Sequence, residues 1–83
     1  MPSRQPHPVD VELGRRLEAA RRAAGLRSAD VRRAVGVSKQ QIRMYETAAN
    51  RVGVSRLWAI ARALNKPMAS FVEGLDDMKG PWP

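Results

Sequence analysis

An all-α domain is predicted for this 83-residue chain by three features of its sequence. Apolar residues recur at helical spacing, as at Leu13, Leu17, Ala20 and Ala24. Glycine, serine and proline break these stretches into pieces one helix long. No run alternates apolar and polar residues as a half-buried strand would.

Taken in order, residues 1–8 hold Pro2, Pro6 and Pro8 with no apolar period, and read as a disordered leader. A first helix is expected from near Asp10, whose carboxylate suits an N-cap, and Gly25 stops it. Leu26 can then fold back on the apolar stripe. A second helix covers about 28–35, with Val31 and Val35 inward and Gly36 breaking it. Ser38 is a good N-cap for a third helix, in which Ile42 and Tyr45 point inward. Lys39, Gln40, Arg43, Met44 and Thr47 point elsewhere. Residues 48–53 form a loop, and Leu57, Ile60, Ala61 and Leu64 mark a fourth helix closed by Asn65. Pro67 opens a last short helix carrying Met68, Phe71, Val72 and Leu75. One domain over 9–75 and a short flexible tail over 76–83 complete the division.

Composition narrows the chemistry. Cysteine is absent and His7 is the single histidine, which excludes a disulfide scaffold, a Cys-ligated zinc site and a Ser-His-Asp triad. No metal, cofactor or enzyme active site is expected. The net charge is +7, and 13–66 holds all the basic residues but Arg4 and Lys79, against Glu18, Asp30 and Glu46 as its acids. A basic domain with acidic flanks points to a polyanion, most often nucleic acid, although a merely solvated basic surface would look the same in composition. No targeting signal or membrane-length apolar run is present, so a cytoplasmic location and no membrane partner are expected.

Residues 28–47 carry the functional signal. Two helices lock at a steep angle when the turn between them has a residue without a side chain, here Gly36. Val31, Val35, Val37, Ile42 and Tyr45 fill the angle. The second helix of such a pair projects a polar edge that fits the DNA major groove.

The stretches LGRRLEAARRAAGL, VRRAVGVSKQQI and LWAIARAL, with Glu46 between the last two, resemble the lambda-repressor/Cro-like (XRE-type) helix-turn-helix regulators. The run QQIRMYETAANRVGVSRLWAIARAL is similar to a subgroup common in alphaproteobacteria. VSKQQIRMYE also resembles the start of mercury-resistance-type winged-helix regulators, but those place a β-wing where a helical pattern follows here.

The resemblance implies a compact five-helix lambda-repressor-like domain that binds double-stranded DNA, on a palindromic operator, as a homodimer. It places Lys39, Gln40 and Met44 against base edges. Gln suits adenine, Lys suits guanine O6 and N7, and Met offers apolar contact to a thymine methyl. Phosphate donors would be Ser28, Ser38, Arg43, Thr47, Asn50 and Arg51. Arg27, Arg32 and Gln41 are additional candidates, and Gln41 could instead turn toward the preceding helix or the backbone. Arg4 could reach a groove from the leader.

In the family, residues at the positions of Arg21 and Glu46 often pair, tying the first helix to the end of the third. The pair is expected to be partly buried, with an exposed, weakly coupled pair as the alternative. Arg27 stands where a Ser or Thr cap is usual, Ser28 replaces a glutamine, and Val52 a frequent proline. Arg32 replaces a small residue at a close helix contact, so its stem must turn outward or the helices must open.

Trp58, Met68, Phe71 and Val72, with Trp82, are the candidate dimer surface, and Phe71 and Val72 could alternatively finish the monomer core. A repressor acting by occlusion is the leading expectation. An antitoxin-like protein-interaction module with secondary, autoregulatory DNA binding is the other.

Overall fold

The computed structural model describes residues 6–78. Four α-helices follow one another, α1 (Pro8–Ala23), α2 (Ser28–Val35), α3 (Lys39–Glu46) and α4 (Val54–Ala63). Two 3-10 turns, Met68–Phe71 and Leu75–Asp77, close the described chain. The fold is all-helical, and the expected last helix is the first of these short turns. Arg4, Lys79 and Trp82 lie outside the described residues.

Helix α1 begins earlier than expected, and Asp10 is not its cap. The cap is His7, whose Nδ1 accepts from the Val9 N–H at 3.1 Å. Pro8 then opens the helix, since proline has no N–H to leave unsatisfied there and its φ is already helical. Asp10 sits within the first turn, where a carboxylate suits the helix dipole. At the other end, Leu26 N–H donates to the Arg21 carbonyl and Gly25 N–H to the Arg22 carbonyl, both near 3 Å. Helix α4 ends with the same pair of bonds, from Lys66 to Ala61 and from Asn65 to Arg62, with Asn65 in the left-handed region at φ 56°. These closures fold the chain back sharply, which is why Ala24, expected on the inner stripe, is exposed while Leu26 packs against the core.

The core is assembled from every α-helix. Leu13, Leu17 and Ala20 of α1 meet Val31 of α2, Ile42 and Tyr45 of α3, Leu57, Ile60 and Ala61 of α4, and Leu64 at its C-cap. Phe71 caps the cluster from the 3-10 turn at 2% exposure. It therefore belongs to the monomer core and is withdrawn from the candidate dimer surface. Met68 is also partly buried against that core. Left-handed Gly74, at φ 74°, interrupts the chain before a longer helix can form.

Arg16, which lies off the apolar stripe, fastens this turn to α1. Its Nη1 donates to the Glu73 carbonyl at 2.7 Å and to the Phe71 carbonyl at 3.3 Å. Glu12 holds the same guanidinium at 2.8 Å and also pairs with Arg15. The hydrogen bonds from Arg15 and Arg16 lower the Glu12 carboxyl to a pKa of about 2.

Helix α1 crosses α3 at Gly14. A Cβ at this position would lie 2.5 Å from the Glu46 carbonyl oxygen and 2.6 Å from that of Tyr45. Both obstacles are backbone, so neither can swing aside. Helix propensity alone would favour alanine over glycine by about 1 kcal/mol. Gly14→Ala is nevertheless expected to destabilise the domain by about 1–3 kcal/mol through overpacking. Urea unfolding should show a lower midpoint, and an unchanged or raised midpoint would refute the close contact.

Candidate nucleic-acid interface

Helices α2 and α3 are joined by Gly36-Val37-Ser38. Gly36 sits at φ 84° and its N–H returns to the Arg32 carbonyl at 2.7 Å, ending α2. A side chain at that φ would be strained. Ser38 then caps α3, its Oγ accepting from the Gln41 N–H at 3.0 Å. Val31, Ile42 and Tyr45 fill the angle between the helices, with Val35 and Val37 partly buried against them.

The orientation of α3 is locked from below. Arg21 Nε donates to Glu46 Oε2 at 2.6 Å and Nη2 to Oε1 at 3.2 Å, while Nη1 reaches the Leu26 carbonyl at 2.9 Å. Both side chains are buried. The Glu46 hydrogen bond raises the Arg21 pKa above the ordinary arginine value. A two-point arginine–carboxylate contact fixes angle as well as distance. The pair has the buried form, and it holds the end of α3 against α1.

What α3 presents outward is mostly donors. Lys39, Gln40 and Arg43 are exposed, and Gln41 and Met44 are half-buried. Arg32 is exposed, so its guanidinium escapes the helix contact through its stem. Lys39 and Arg43 line a groove of about 490 Å³ with Arg21, Arg22, Arg27, Ser28 and Ala29. Several cations of this groove are engaged. Arg22 pairs with Glu18 at 2.9 Å, and Arg27 with Asp30 at 3.4 Å. Asp30 also accepts from the Arg27 backbone N–H at 2.8 Å, which caps α2 in place of the usual Ser or Thr and holds the Asp30 carboxyl below its ordinary pKa.

Among the described residues, the cations with no hydrogen bond, ion pair or ring contact are Arg32, Arg33, Lys39, Arg43 and Lys66. All but Lys66 belong to the α2–α3 unit. Arg33 also acts through space on the Asp30 carboxylate, which leaves Arg32, Lys39 and Arg43 as the described cations of α2 and α3 without any acidic neighbour.

Other predicted contacts are engaged within the protein. Thr47 Oγ1 donates to the Arg43 carbonyl at 3.0 Å, while Ser28, at 8% exposure, lines the groove beside Lys39 and Arg43 with no side-chain hydrogen bond among the described residues. Arg51 Nε donates to Asp10 Oδ2 at 3.1 Å, bridging the α3–α4 loop to α1. Asn50 Nδ2 donates to Gln41 Oε1 at 3.4 Å and approaches Met44 Sδ at 3.7 Å. Gln41 therefore turns toward the following loop, not the preceding helix. Sequence reasoning missed Gly14, Arg16 and Arg56, whose Nη1 donates to the Val35 carbonyl at 3.4 Å. A lone arginine or glycine on a helix carries no sequence signal for such a partner.

A glycine-turned helix pair with a cationic outer edge, keyed to a preceding helix by a buried ion pair, defines a lambda-repressor-like helix-turn-helix domain. The chain belongs to the helix-turn-helix domain family, which matches residues 12–76. An HTH-type transcriptional regulator of Sinorhizobium medicae (strain WSM419) is 37% identical over 70 residues, covering 84% of this chain and 50% of the relative. A transcriptional regulator in the ATPase CF(0) region of Rhodospirillum rubrum is 41% identical over 70 residues, covering 84% of this chain and 65% of its own. This chain spans half to two-thirds of the length of these relatives. The P22 c2 repressor, solved with a synthetic operator, superposes with a TM-score of 0.68 at 27% identity over 75% of this chain and 94% of its own. The restriction-modification controller protein C.AhdI of Aeromonas hydrophila shares the fold, with a TM-score of 0.71 at 23% identity over 74% and 92% of the two chains.

Removing one side of the Arg21–Glu46 pair leaves a buried charge or donor without its partner. Glu46→Gln is expected to cost about 3–5 kcal/mol in urea unfolding. An Arg21→Met/Glu46→Leu double variant should be more stable than either single change. A Glu46→Gln midpoint equal to wild type would show that the pair contributes nothing to stability.

Proposed function

We propose that this domain is a sequence-specific double-stranded DNA-binding regulator, a repressor acting by occlusion, that reads the major groove with α3. The observation that carries this reading is that, among the described residues, the unpaired cations other than Lys66 are confined to α2 and α3. A merely solvated basic surface would need no such sorting. Relatives named as transcriptional regulators, and the likeness to an operator-bound repressor, support it.

Lys39 and Gln40 stand at the exposed first turn of α3, the end that meets base edges in this docking geometry. Met44, one turn further on, supplies apolar contact. Arg43 and Arg32 are the free phosphate donors, and Arg27 and Arg51 are donors already oriented by an aspartate. Ser38 accepts from the Gln41 N–H and keeps its hydroxyl proton for a phosphate, whereas the Thr47 hydroxyl proton is given to the Arg43 carbonyl and shapes the end of α3. With DNA as its ligand, the protein works in the cytoplasm, at the nucleoid.

Helix α3 has 8 residues and is therefore about 12 Å long, enough for roughly three or four base pairs. Two copies on a palindromic operator extend that reading, and half-sites in such dimers lie about one DNA turn apart. Trp58 at 54% and Val72 at 45% exposure remain as the dimer surface. Arg62 lies over the Trp58 ring at 5.0 Å, covering one face of it.

Two outcomes are expected. In gel shifts against operators found by genome-wide footprinting, affinity falls steeply with salt. Lys39→Ala or Gln40→Ala costs about 1–3 kcal/mol on the operator and relaxes specificity, while Arg51→Ala weakens all sequences alike. Equal wild-type affinity for operator and random DNA would overturn the reading. In light scattering, the mass rises from monomer to dimer with concentration, and Trp58→Asp shifts it to monomer. A concentration-independent monomer would refute the dimer.

A further inference from the structure

The loop after α3 returns to that helix through one residue. Ala48 takes a left-handed φ of 62°, and the Asn50 N–H donates to the Met44 carbonyl at 3.1 Å. Arg51, the next residue, is anchored to Asp10 of α1. Asn50 is thus held on both sides, with its side-chain amide over Gln41 and Met44, which share a face of α3 at i and i+3.

A carboxamide has one acceptor oxygen and one donor nitrogen, on opposite sides of its carbon. Asn50 Nδ2 donates to Gln41 Oε1 at 3.4 Å, which takes one of its lone pairs and draws that oxygen toward the loop. Gln41 Nε2 has no partner among the described residues. We propose that Asn50 is a positioning residue for base recognition, which turns Gln41 so that it presents only its amide nitrogen to the DNA. The proposal rests on the DNA-binding reading above.

Gln41 then favours a base edge carrying acceptors, such as guanine O6 and N7 or thymine O4, and disfavours the cytosine amino group. Gln40 has no such bond and keeps both ends of its amide for a two-point contact with adenine. The adjacent glutamines therefore do different work, although nothing in their sequence distinguishes them. Asn50 acts through Gln41 and not as a phosphate donor.

The test is selection from duplexes randomised across one half-site, with wild type, Asn50→Ala, Asn50→Asp and Gln41→Ala, each checked for folding by circular dichroism. Asn50→Ala should relax the preference at one base position by about tenfold and leave the salt dependence unchanged. Asn50→Asp offers only acceptors, so it should capture Gln41 Nε2 and turn Oε1 outward. The preference at that position should then move to a donor-bearing edge, cytosine N4 or adenine N6. Adding Gln41→Ala should abolish the switch.

If Asn50→Ala weakens all sequences equally and reduces the salt slope by about one contact, Asn50 is a phosphate ligand and the positioning role fails alone. An unchanged base preference in both Asn50 variants also overturns it. If wild type selects no sequence, the DNA-binding reading itself fails.

Discussion

Helix α1 meets α3 where α1 has no room for a side chain. Gly14 lies against the carbonyls of Tyr45 and Glu46, and two turns further along α1 the Arg21 guanidinium grips the Glu46 carboxylate. Contact at Gly14 sets how close the helices lie, and the ion pair sets their angle. The outward edge of α3 is a consequence of both. The steep α2–α3 turn at Gly36 needs such a backstop, because an 8-residue helix is too short to hold its own orientation. A buried ion pair contributes little net stability against an apolar pair of the same shape. Its value here is geometric, since Nη1 of the same arginine also fixes the Leu26 carbonyl beyond the end of α1.

The distribution of charge follows from this frame. On α1, Arg15, Arg16 and Arg22 find Glu12 and Glu18 one turn back, and Arg21 is taken into the interior. Arg56 and Arg62 on α4 are held by a carbonyl and by the Trp58 ring. Helices α2 and α3 carry one pairing acid between them that faces outward, Asp30, and it is engaged with Arg27. A net charge of +7 spread over the surface would attract any polyanion. Among the described residues the cations without a hydrogen bond, ion pair or ring contact lie mainly on α2 and α3, so a polyanion bound there would meet them in a defined orientation.

Much of this was legible in the sequence because local rules agree with the tertiary fold. The α-helices, the Ser38 cap, the Gly36 turn and the apolar residues of the core follow from periodicity and punctuation. The failures share a cause. Asp10 looks like a cap, but Pro8 and His7 open the helix earlier and free its carboxylate for Arg51, 41 residues away. Phe71 and Val72 are adjacent in a segment too short for a periodic pattern, and only the 3-10 turn decides that one is core and the other exposed. Gly14 reads as a weak point in a helix until the helix crossing is known. Among the candidate contacts, residue type shows which side chains can donate, but it could not show which of them are already engaged at home.

That distinction bears on how the interface would bind. An exposed long side chain loses rotamer freedom when it contacts DNA, at about 0.5–1.5 kcal/mol each. Arg51 and Gln41 are already ordered, by Asp10 and by Asn50, so their share of that cost would be met largely in folding. Lys39, Gln40 and Arg43 have no such support and retain it in full. The edge of α3 is therefore divided. If α3 reads DNA as proposed, its exposed first turn would adapt to the bases it meets, the side chains beneath the loop would present one fixed chemistry, and discrimination would be sharpest where the protein cannot rearrange to accept a poorer partner.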